Sequence, residues 1–596
     1  MDFIAELQHQ ISVSVEELFQ QKVSPSSISI QPTNPEHSGD FTALMFPLVK
    51  LKLGSPEDLG NKIGEHLVSR YKPIESFTVI KGFLNLVIRE SYWWAFLEES
   101  IEAEESFFRL QIGHNKRVMV EYASPNTNKP LHLGHLRNIF LGNSVSKILE
   151  ALGFTVIRAC LYNDRGIHIC KSMIAWKLYG NGETPASSNI KGDHLVGKYY
   201  VTYERVYQEQ ILELRAKKVS EEDAKEQAPI YLEAQEMLRK WEANDPEIRE
   251  LWKQMNGWVY DGFQKTYQRI GVHFDQYYYE SFTYLLGKEI VEEGLKKGIF
   301  YKKIGGSVWI NLFEEGLDEK LLLRSDGTSV YITQDLGTAD KKYFDHRIQK
   351  SIYVIGDEQD HHMKTLIAIL QKLGKPYASG LFHLSYGMVD LPSGKMKSRE
   401  GTVVDADDLL GEMHQVAKTK TEELGKADEL NDKELSELYE TLGQGALKYF
   451  LLKVDARKRI LFDPTESIDF RGNTGVYIQF MYARIKSLLN KGIQEDYTAE
   501  EIATSITLLP IERNLLRQIH QYQYELLESG LAYNPAIIAN YLYELAKLFS
   551  RFYNEVPIFK ENNRSLVSNR LFICKMIGEI LYHGLGLLGI KAPNRM

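Results

Sequence analysis

The stretch RVMVEYASPNTNKPLHLGHLRNIFLGNSVSKILEALGFTVIRACL, residues 117–161, indicates how the central part of the chain folds. Its first seven residues, Arg117–Ala123, read as a buried strand, and residues 155–161 read as a second one. Between them, apolar residues recur at helical spacing until Gly153, a residue type that commonly ends a helix. Strand, helix and strand in close succession predict a parallel sheet with a ligand site at the carboxyl end of the first strand.

The composition places the chain among multidomain globular proteins. At 596 residues it exceeds what one hydrophobic core supports, and no apolar run approaches the roughly 18 residues that span a bilayer. The first residues lack the basic start and apolar centre of a secretion signal, so we expect a cytoplasmic protein without a membrane segment. Its 3 cysteines, Cys160, Cys170 and Cys574, form no C-x-x-C pair, which argues against disulfides and thiolate zinc sites.

Changes in pattern along the chain predict three domains. Residues 1–112 begin as a helix and reach the strand-like FTVIKGFLNLVI, as in a small α+β domain. Residues 113–404 carry the parallel sheet, interrupted from about 172 to 275 by a charged helical insertion, and the sheet resumes with a strand at Lys350–Gly356. Residues 405–596 are almost wholly helical in pattern. The resulting fold class is multidomain α/β.

The charge distribution only weakly indicates a partner. The net charge of -9 counts mildly against nucleic acid, whereas residues 441–596 carry 19 basic and 15 acidic residues. An excess this small equally fits ordinary variation of surface charge between domains.

The segment SPNTNKPLHLGHLRN, residues 124–138, leaves three interpretations open. A metal site is disfavoured, because His132 and His135 are three residues apart and lack an acidic helper and a third ligand. A structural turn or helix cap is the second interpretation. The third is a phosphate cradle, in which Gly134 admits an anion to the free N–H groups of a helix start, and both histidines and Lys129 add donors. ATP is the natural ligand of such a cradle.

The same segment resembles the signature of the class I aminoacyl-tRNA synthetases, whose H-I-G-H motif stands here as His132–His135, and VEYASPN before it is similar to the arginyl-tRNA synthetases in particular. The resemblance continues through HSGDF, GFLNLVI, SDGTSVYITQDLGTA, YVIGDEQDHHM, YGMVDLPSGKMKSREGT, GVYIQFMYARI, YLYELAKLFSRFYN and APNRM. These segments arrive in the family's order and cover nearly the whole chain. The resemblance therefore applies to all three predicted domains.

This resemblance implies a Rossmann-type catalytic domain, an N-terminal domain that contacts tRNA, and a helical anticodon-binding domain at the C-terminus. It also implies a two-step reaction. The carboxylate of L-arginine attacks the α-phosphate of ATP, with Mg²⁺ neutralising the leaving pyrophosphate, and the terminal ribose of tRNA(Arg) then takes the arginyl group. Orientation and positive charge suffice for both steps, so no covalent nucleophile and no protein-bound metal are expected. We expect a monomer, the usual form in the family.

The arginine pocket can be argued from chemistry as well. A guanidinium is best matched by a buried carboxylate that accepts two parallel N–H bonds. Glu121, in an otherwise apolar strand, and Asp335, one helical turn after Tyr331, meet this need, although each could instead pair with a cation of the protein itself. The full set that the resemblance assigns to arginine is Glu121, Ser124, Asn126, Tyr331, Asp335 and Gln359.

The second half of the ATP site is the lysine loop K-M-S-K-S of the class, which reads Lys395-Met396-Lys397-Ser398-Arg399 here. Serine occupies the fourth place, where the class has the lysine that contacts the triphosphate. Arginyl enzymes commonly lose that lysine, and the resemblance gives its role to Lys129. The residues assigned to ATP are His132, Gly134, His135, His362, Lys395, Met396 and Ser398, and the catalytic ones are Lys129, His132, His135, Lys395 and Lys397.

Contacts with tRNA are predicted from the same resemblance. RNA loops are bound by stacking unpaired bases on aromatic or arginine planes. Candidate residues in family-like segments are Asn85, Tyr477, Arg484, Tyr541, Tyr553 and Met596. Tyrosines at helical spacing are, alternatively, core residues.

Three rival functions lack their expected sequence features. A cysteinyl enzyme needs clustered cysteine ligands for zinc, and a small nucleotidyl-transferring ligase has no use for the two terminal domains. An inactive, synthetase-like RNA-binding protein would have lost His132, His135 or the carboxylates, which are all present. An active arginyl enzyme is the prediction.

The altered lysine loop generates a test. If Lys129 performs the duty of the missing fourth-place lysine, Lys129→Ala lowers arginine-dependent exchange of pyrophosphate into ATP more than Lys397→Ala does. Equal losses, or the reverse order, would overturn the assignment.

Overall fold

The computed structural model describes residues 3–34, 36–50, 53–390, 404–423, 430–497 and 502–596. The chain folds into two compact units. The first comprises residues 1–107, 485–522 and 547–580, and the second comprises residues 108–484, 523–546 and 581–596. Within the described ranges, no helix combines the length and the apolar character needed to cross a bilayer.

The first unit begins with helices around an antiparallel sheet of order β1-β2-β4-β3. The segment FTVIKGFLNLVI forms the hairpin of β3 and β4, whose two-residue turn uses positive φ angles of 48° at Lys81 and 78° at Gly82. The elements are α1 Phe3–Phe19, β1 Ile30–Pro32, β2 Phe41–Leu44, α2 Phe46–Val49, α3 Pro56–Arg70, β3 Ile74–Ile80, β4 Phe83–Ile88 and α4 Glu90–Glu102.

Asp40, from the segment HSGDF, is a structural residue of this unit. Its carboxylate is 1% exposed and accepts hydrogen bonds from the Ile88 backbone N–H at 2.7 Å and from Arg513 Nη1 at 3.2 Å. Burial raises the pKa of Asp40, while the Ile88 N–H and Arg513 oppose that rise. Asp40 thus joins the sheet to a helix that follows much later in the chain.

The second unit is built on a parallel sheet of order β12-β11-β5-β6-β7. The predicted strand, helix and strand are present as β5, α5 and β6, and α5 gives way to Gly153 at φ 81°. The strand β5 ends at Glu121, two residues earlier than predicted, because Ala123 and Ser124 turn into the left-handed region. These elements are β5 Arg117–Glu121, α5 Leu133–Ala151, β6 Thr155–Tyr162, β7 Gln276–Tyr279, β11 Lys350–Gly356 and β12 Leu381–Tyr386.

The charged insertion between β6 and β7 is helical, as predicted. Its helices are α6 Ile167–Tyr179, α7 Pro185–Ser188, α8 Gly192–Ala216, α9 Glu221–Gln227, α10 Pro229–Glu242 and α11 Pro246–Ile270. Before the sheet resumes, the chain also forms a small antiparallel sheet of order β10-β9-β8 that the sequence pattern did not predict. The elements of that part are α12 Glu280–Thr283, α13 Lys288–Lys296, β8 Phe300–Lys302, β9 Val308–Ile310, β10 Lys320–Leu323, α14 Tyr331–His346 and α15 Asp360–Lys372.

The described residues of the remainder are helical apart from one short parallel pair, β13 with β14. Its elements are β13 Val389–Asp390, α16 Ala406–Glu423, α17 Asp432–Leu452, β14 Ile460–Leu461, α18 Pro464–Ser467, α19 Gly475–Gln494, α20 Pro510–Leu531, α21 Pro535–Glu555 and α22 Arg564–Leu587. The predicted fold class, a parallel-sheet domain with a helical insertion, an N-terminal α+β part and a helical C-terminal part, is confirmed.

The order of the sheet locates the ligand site. Strand β5 lies between β6, which follows it in the chain, and β11, which comes much later. The connections therefore leave β5 in opposite directions, and such a switch point opens a crevice at the carboxyl ends of the strands.

Candidate active site

The residues of the predicted phosphate cradle form the first turn of α5 and its cap. His132 is its N-cap, and its Nδ1 accepts a hydrogen bond from the Gly134 backbone N–H at 3.2 Å. In return, His135 Nδ1 accepts from the His132 backbone N–H at 3.1 Å. A ring nitrogen that accepts carries no proton, so the proton of each neutral ring sits on Nε2. Both imidazoles therefore present Nε2–H as the donor that remains for a ligand.

Both rings stay neutral at physiological pH. Burial, with Lys129 as the second cause, lowers the pKa of His132 to about 3. Burial also lowers the pKa of His135 well below its usual value, and His132 and Lys129 add to that shift. Burial lowers the pKa of Lys129 too, and no carboxylate of the described residues lies within ion-pair distance of its ammonium group. Lys129 is available for an anionic ligand.

A backbone kink separates this cradle from β5. Ala123 and Ser124 have φ angles of 68° and 40°, a conformation that costs non-glycine residues of the order of 1 kcal/mol each. The carboxamide of Asn138 holds the kink: its Oδ1 accepts from the Ala123 N–H at 2.6 Å, and its Nδ2 donates to the Val354 carbonyl at 2.7 Å. Asn138 thus bridges β5 and β11 where their pairing stops. Sequence reasoning missed this residue, because the sequence does not show which backbone groups an asparagine on a helix will bond.

The residues predicted for arginine surround this crevice. Asn126 is exposed, and its backbone forms a parallel bridge with Asn163 just beyond β6. Ser124 Oγ accepts from the Leu161 N–H at 3.4 Å, and the Ser124 carbonyl accepts from Asn163 Nδ2 at 3.0 Å. Gln359 is exposed at the entry to α15. Ser124 and Asn126 follow β5 and Gln359 follows β11, so these residues lie at the carboxyl end of the sheet.

Asp335 and His362 form a hydrogen-bonded pair. Both are partly exposed, and Asp335 Oδ2 lies 2.6 Å from His362 Nε2. His362, predicted to contact ATP, therefore stands beside a residue predicted to contact arginine. Tyr331, one turn before Asp335 on α14, is 77% exposed. Its ring is available to a ligand at the start of that helix.

Glu121 has an internal partner. Its Oε2 lies 2.5 Å from Lys342 Nζ, and both side chains are buried. Burial opposes the charged form of Lys342, but the Glu121 carboxylate raises the pKa of this lysine above its usual value. The alternative left open by the sequence, a cation of the protein itself, thus applies to Glu121. Its role as an arginine ligand stays a prediction.

A carboxylate that sequence reasoning missed lies in the same region. Glu280 directly follows β7, and burial, together with the charges of Asp164 and Asp335, raises the pKa of Glu280 to about 7 although Arg165 opposes the rise. Arg165 itself pairs with Glu242 at 2.8 Å. Among the described residues, no cation lies within ion-pair distance of Glu280. A bound cation would relieve the repulsion in this cluster.

The flank of the lysine loop pairs with the cradle. The Leu133 N–H donates to the Val404 carbonyl at 3.3 Å, and the Ala406 N–H donates to the Leu131 carbonyl at 2.9 Å. A cavity of about 200 Å³ next to this pairing is lined by Lys129, Pro130, Leu131, His132, His194, Gly197, Lys198, Tyr200, Val201 and Asp405. The predicted loop residues Lys395, Met396, Lys397 and Ser398 lie outside the described residues.

One cluster of two aspartates and a histidine has the spacing of metal ligands, although the sequence predicts no protein-bound metal. Asp193, His194 and Asp407 bring ligand atoms within 4.8 Å of one another. Lys191 Nζ already lies between the carboxylates, 3.1 Å from Asp193 Oδ2 and 2.6 Å from Asp407 Oδ2. Because this ammonium group neutralises both oxygens, we assign no metal to the group.

The residues predicted to contact tRNA differ in exposure. The Asn85 side chain is 1% exposed, and its Oδ1 accepts a hydrogen bond from Thr42 Oγ1 at 2.6 Å. Tyr541 is buried, in line with the alternative of a core residue, whereas Tyr553 is 40% exposed. Tyr477, Arg484 and Met596 are half-buried. Their contacts with tRNA stay predictions.

Fold and site together define a class I aminoacyl-tRNA synthetase. Residues 99–463 match the family model of the class I (R) tRNA synthetase catalytic domain, residues 478–596 match the DALR anticodon-binding domain, and residues 5–88 match the arginyl-tRNA synthetase N-terminal domain. The chain belongs to the arginyl-tRNA synthetase family. The predicted family and enzyme class are confirmed, while the predicted boundaries near 112 and 404 stay predictions.

Relatives and solved structures agree over nearly full length. The chain is 50% identical to the arginine–tRNA ligase of Amoebophilus asiaticus over 99% of both chains, and 49% identical to that of Bacteroides thetaiotaomicron over 97% of both. The arginyl-tRNA synthetase structure from Thermus thermophilus matches with a TM-score of 0.77 at 22% identity, covering 99% of both chains. That from Plasmodium falciparum matches with 0.76 at 19%, covering 100% of this chain and 99% of the other. The two structures show the fold.

The N-cap role of His132 and its predicted role as a hydrogen-bond donor to ATP can be separated by mutation. Asparagine is a good N-cap but does not extend as far as an imidazole Nε2–H, so His132→Asn should keep the free energy of unfolding within about 1 kcal/mol of wild type. It should lower the rate of adenylate formation by about 10²-fold, the usual loss when one transition-state donor is removed. Chemical denaturation and pyrophosphate exchange measure the two effects.

His132→Ala is the matched control, because it removes both the cap and the donor. It should show the same loss of rate and an additional loss of about 1 kcal/mol in stability. Normal exchange activity in His132→Asn would show that the Nε2–H is not needed.

Proposed function

We propose that this chain activates L-arginine with ATP and transfers the arginyl group to the 3′ end of tRNA(Arg). The observation that carries the proposal is the meeting of two complementary half-sites at one switch point. Neutral imidazole donors and Lys129 lie at the start of α5, and a cluster of carboxylates lies beyond β6 and β7. Phosphates suit the first half and a guanidinium suits the second.

Arginine is bound by the acidic half. Asp335 and Glu280 are proposed to accept hydrogen bonds from the guanidinium, with His362 orienting Asp335 and with Tyr331 packing on the side chain. Asn126 and Gln359, exposed at the ends of β5 and β11, would hold the α-amino and carboxylate groups as the family resemblance implies. Ser124 and Glu121 would support this pocket from the kink and from the buried pair with Lys342.

ATP is bound by the other half. The neutral Nε2–H groups of His132 and His135 donate to phosphate oxygens without the desolvation cost of two buried charges. Gly134 keeps the backbone free of a side chain, and Lys129 supplies a full positive charge for the triphosphate. Lys395, Met396, Lys397 and Ser398 would complete the site from the loop. We propose that ATP arrives as its Mg²⁺ complex, in which the ion neutralises the pyrophosphate that leaves.

The reaction needs no covalent enzyme intermediate. The arginine carboxylate attacks the α-phosphorus, the bond to the pyrophosphate oxygen breaks, and the donors of the cradle stabilise the charge on the equatorial oxygens. The terminal ribose hydroxyl of tRNA then attacks the arginyl carbonyl, and AMP leaves. The helical C-terminal part, with Tyr477, Arg484, Tyr553 and Met596 partly exposed, is proposed to contact the anticodon arm. We further propose that the enzyme acts as a monomer in the cytoplasm.

Pyrophosphate exchange tests this function directly. Exchange of labelled pyrophosphate into ATP should depend on arginine among the 20 standard amino acids, and it should be measured with and without tRNA(Arg). Exchange supported by another amino acid would overturn the pocket assignment. Absence of exchange with every amino acid, even in the presence of tRNA, would overturn the proposal that this chain is an active enzyme.

The carboxyl group of Glu280 predicts a pH dependence. Its pKa in the free enzyme is raised to about 7, and the arginine cation binds the ionised form. Below pH 7 the Glu280 carboxyl group is mostly protonated and must lose its proton before arginine binds. The KM for arginine should therefore rise by up to about tenfold per pH unit as the pH falls, and it should level off above pH 7.

Two variants sharpen this measurement. Glu280→Gln cannot ionise, so it should show a raised KM for arginine that stays flat between about pH 6 and 8. The exposed Glu289, on α13, provides the matched control, and Glu289→Gln should keep the wild-type profile. A wild-type profile in Glu280→Gln would remove Glu280 from the pocket.

A further inference from the structure

Asp164 is a fully buried carboxylate just beyond the end of β6. Its residue is 0% exposed. Its Oδ1 accepts a hydrogen bond from the Ser281 backbone N–H at 2.8 Å, and its Oδ2 accepts from Ser281 Oγ at 2.7 Å and from the Tyr260 hydroxyl at 2.9 Å. Among the described residues, no lysine, arginine or histidine lies within ion-pair distance of Asp164. Neutral donors alone therefore satisfy this carboxylate.

The hydrogen bonds of Asp164 fix the start of α12. Strand β7 ends at Tyr279, and the next two residues, Glu280 and Ser281, begin the helix. The first N–H groups of a helix have no partner within it and are usually bonded by a side chain at the N-cap. Tyr279, the N-cap here, makes no such bond. Asp164, which follows the neighbouring strand, supplies the acceptor instead.

The backbone around Asp164 is itself attached to two other parts of the unit. The Asp164 carbonyl accepts from Trp252 Nε1 at 2.6 Å, a contact with helix α11 of the insertion. Next to it, the Asn163 N–H donates to the Pro125 carbonyl at 3.0 Å, and the Asn163 carbonyl accepts from the Thr127 N–H at 3.2 Å. The ends of β5, β6 and β7 are thus joined through residues 163–164, which gives α12 a fixed support.

Glu280 lies beside this support and is partly buried. Burial raises the pKa of Glu280 to about 7; Arg165 opposes the rise, while the charges of Asp164 and Asp335 add to it. Burial also raises the pKa of Asp164, but the bonds from Ser281 and Tyr260 favour its ionised form. The negative charge of Asp164 therefore acts on Glu280.

The other charges of this cluster have partners. Arg165 Nη2 lies 2.8 Å from Glu242 Oε1, and His362 Nε2 lies 2.6 Å from Asp335 Oδ2. The ionisable groups around Glu280 are Asp164, Arg165, Glu242, Tyr260, Asp335 and His362. Within this group Asp164 is the ionised carboxylate that only neutral groups contact.

We propose that Asp164 is a positioning residue for the binding of arginine. It holds the start of α12 so that the Glu280 carboxylate faces the guanidinium, and it adds a second negative charge next to that carboxylate. The inference rests on the proposed function, in which Glu280 binds the guanidinium. Asp164 does not contact arginine, because its own oxygens are occupied by Ser281 and Tyr260.

The test is the pH dependence of the arginine KM in Asp164→Asn. Asparagine keeps the size of the side chain and an acceptor for the Ser281 N–H, and the two hydroxyls can turn to accept from its amide. It removes the charge, so the pKa of Glu280 should fall, and Glu280 should stay ionised to a lower pH. The pH below which KM rises should therefore move down by at least about 0.5 unit.

The same variant should bind arginine more weakly where Glu280 is ionised. At pH 8 the KM for arginine in pyrophosphate exchange should rise at least about threefold, with kcat and the KM for ATP within about twofold, because a charge that attracts the guanidinium is lost. A raised KM whose pH dependence does not move would show a merely structural role for Asp164 and overturn the proposal.

Ser281→Ala separates position from charge. It removes the hydroxyl that bonds Asp164 Oδ2 and leaves the negative charge in place. The KM for arginine should rise about threefold, while its pH dependence stays within about 0.2 unit of wild type. An unchanged KM would overturn the positioning role. This variant also decides the question if Asp164→Asn fails to fold.

Asp275→Asn is the matched control. Asp275 lies at the opposite end of the same strand pair, where its Oδ2 accepts from the Arg158 backbone N–H at 2.8 Å. The variant removes an aspartate charge between β6 and β7 as well, but it should keep the wild-type arginine KM and pH dependence when compared at equal distance below its Tm. An equal shift in this control would show a general effect of charge and overturn the proposal.

A direct titration separates this inference from the proposed function. The ¹³C shift of the Glu280 carboxyl group, assigned by its loss in Glu280→Gln, reports protonation without any need for activity. In Asp164→Asn its midpoint should lie at least about 0.5 pH unit below that of wild type. Equal midpoints would overturn the role of Asp164, whereas absence of exchange activity in wild type would overturn the proposed function.

Discussion

The pairing of β5 with β11 stops after Glu121 and Tyr353, and the rest of the site depends on how the protein fills the gap that opens there. One buried carboxamide does so. Asn138 bonds the backbone of Ala123 on one strand and of Val354 on the other, which keeps the strands attached while their ends diverge. Without a ladder hydrogen bond at that point, the backbone is free to turn into the strained kink, and the crevice of the switch point begins.

After the kink, the chain passes from β5 into α5, whose first turn carries the residues of the proposed cradle. The side chains of His132 and His135 accept hydrogen bonds from backbone N–H groups at the start of α5. These bonds also fix Nε2 as the ring nitrogen that carries the proton. Capping thus uses Nδ1 of each ring and leaves Nε2 for the ligand that we propose. Burial keeps the rings neutral, so the cradle offers hydrogen bonds at its centre and full charge only at Lys129.

The electrostatics of the crevice divide along the sheet. The first half holds donors and a cation, and the second half holds Glu280, Asp335 and the buried Asp164. An amino acid with a cationic side chain and a carboxylate would lie with its side chain in the acidic half and its carboxylate toward the cradle, where we propose that ATP binds. The same charge division disfavours an acidic or apolar amino acid, because either would leave carboxylates without a partner.

The sequence by itself determined the central strand, helix and strand and the family. Local periodicity and a terminal glycine predicted β5, α5 and β6, and ordered motifs predicted site roles for His132, His135 and Asp335, because these signals depend on neighbours in the chain. Only the tertiary structure decided which groups share a partner. It paired Glu121 with Lys342, buried Asn85, brought Glu280 beside Asp335, and gave Asp164 donors 96 and 117 positions away. Such contacts depend on how distant segments pack, and a carboxylate or guanidinium in the sequence does not reveal its partner.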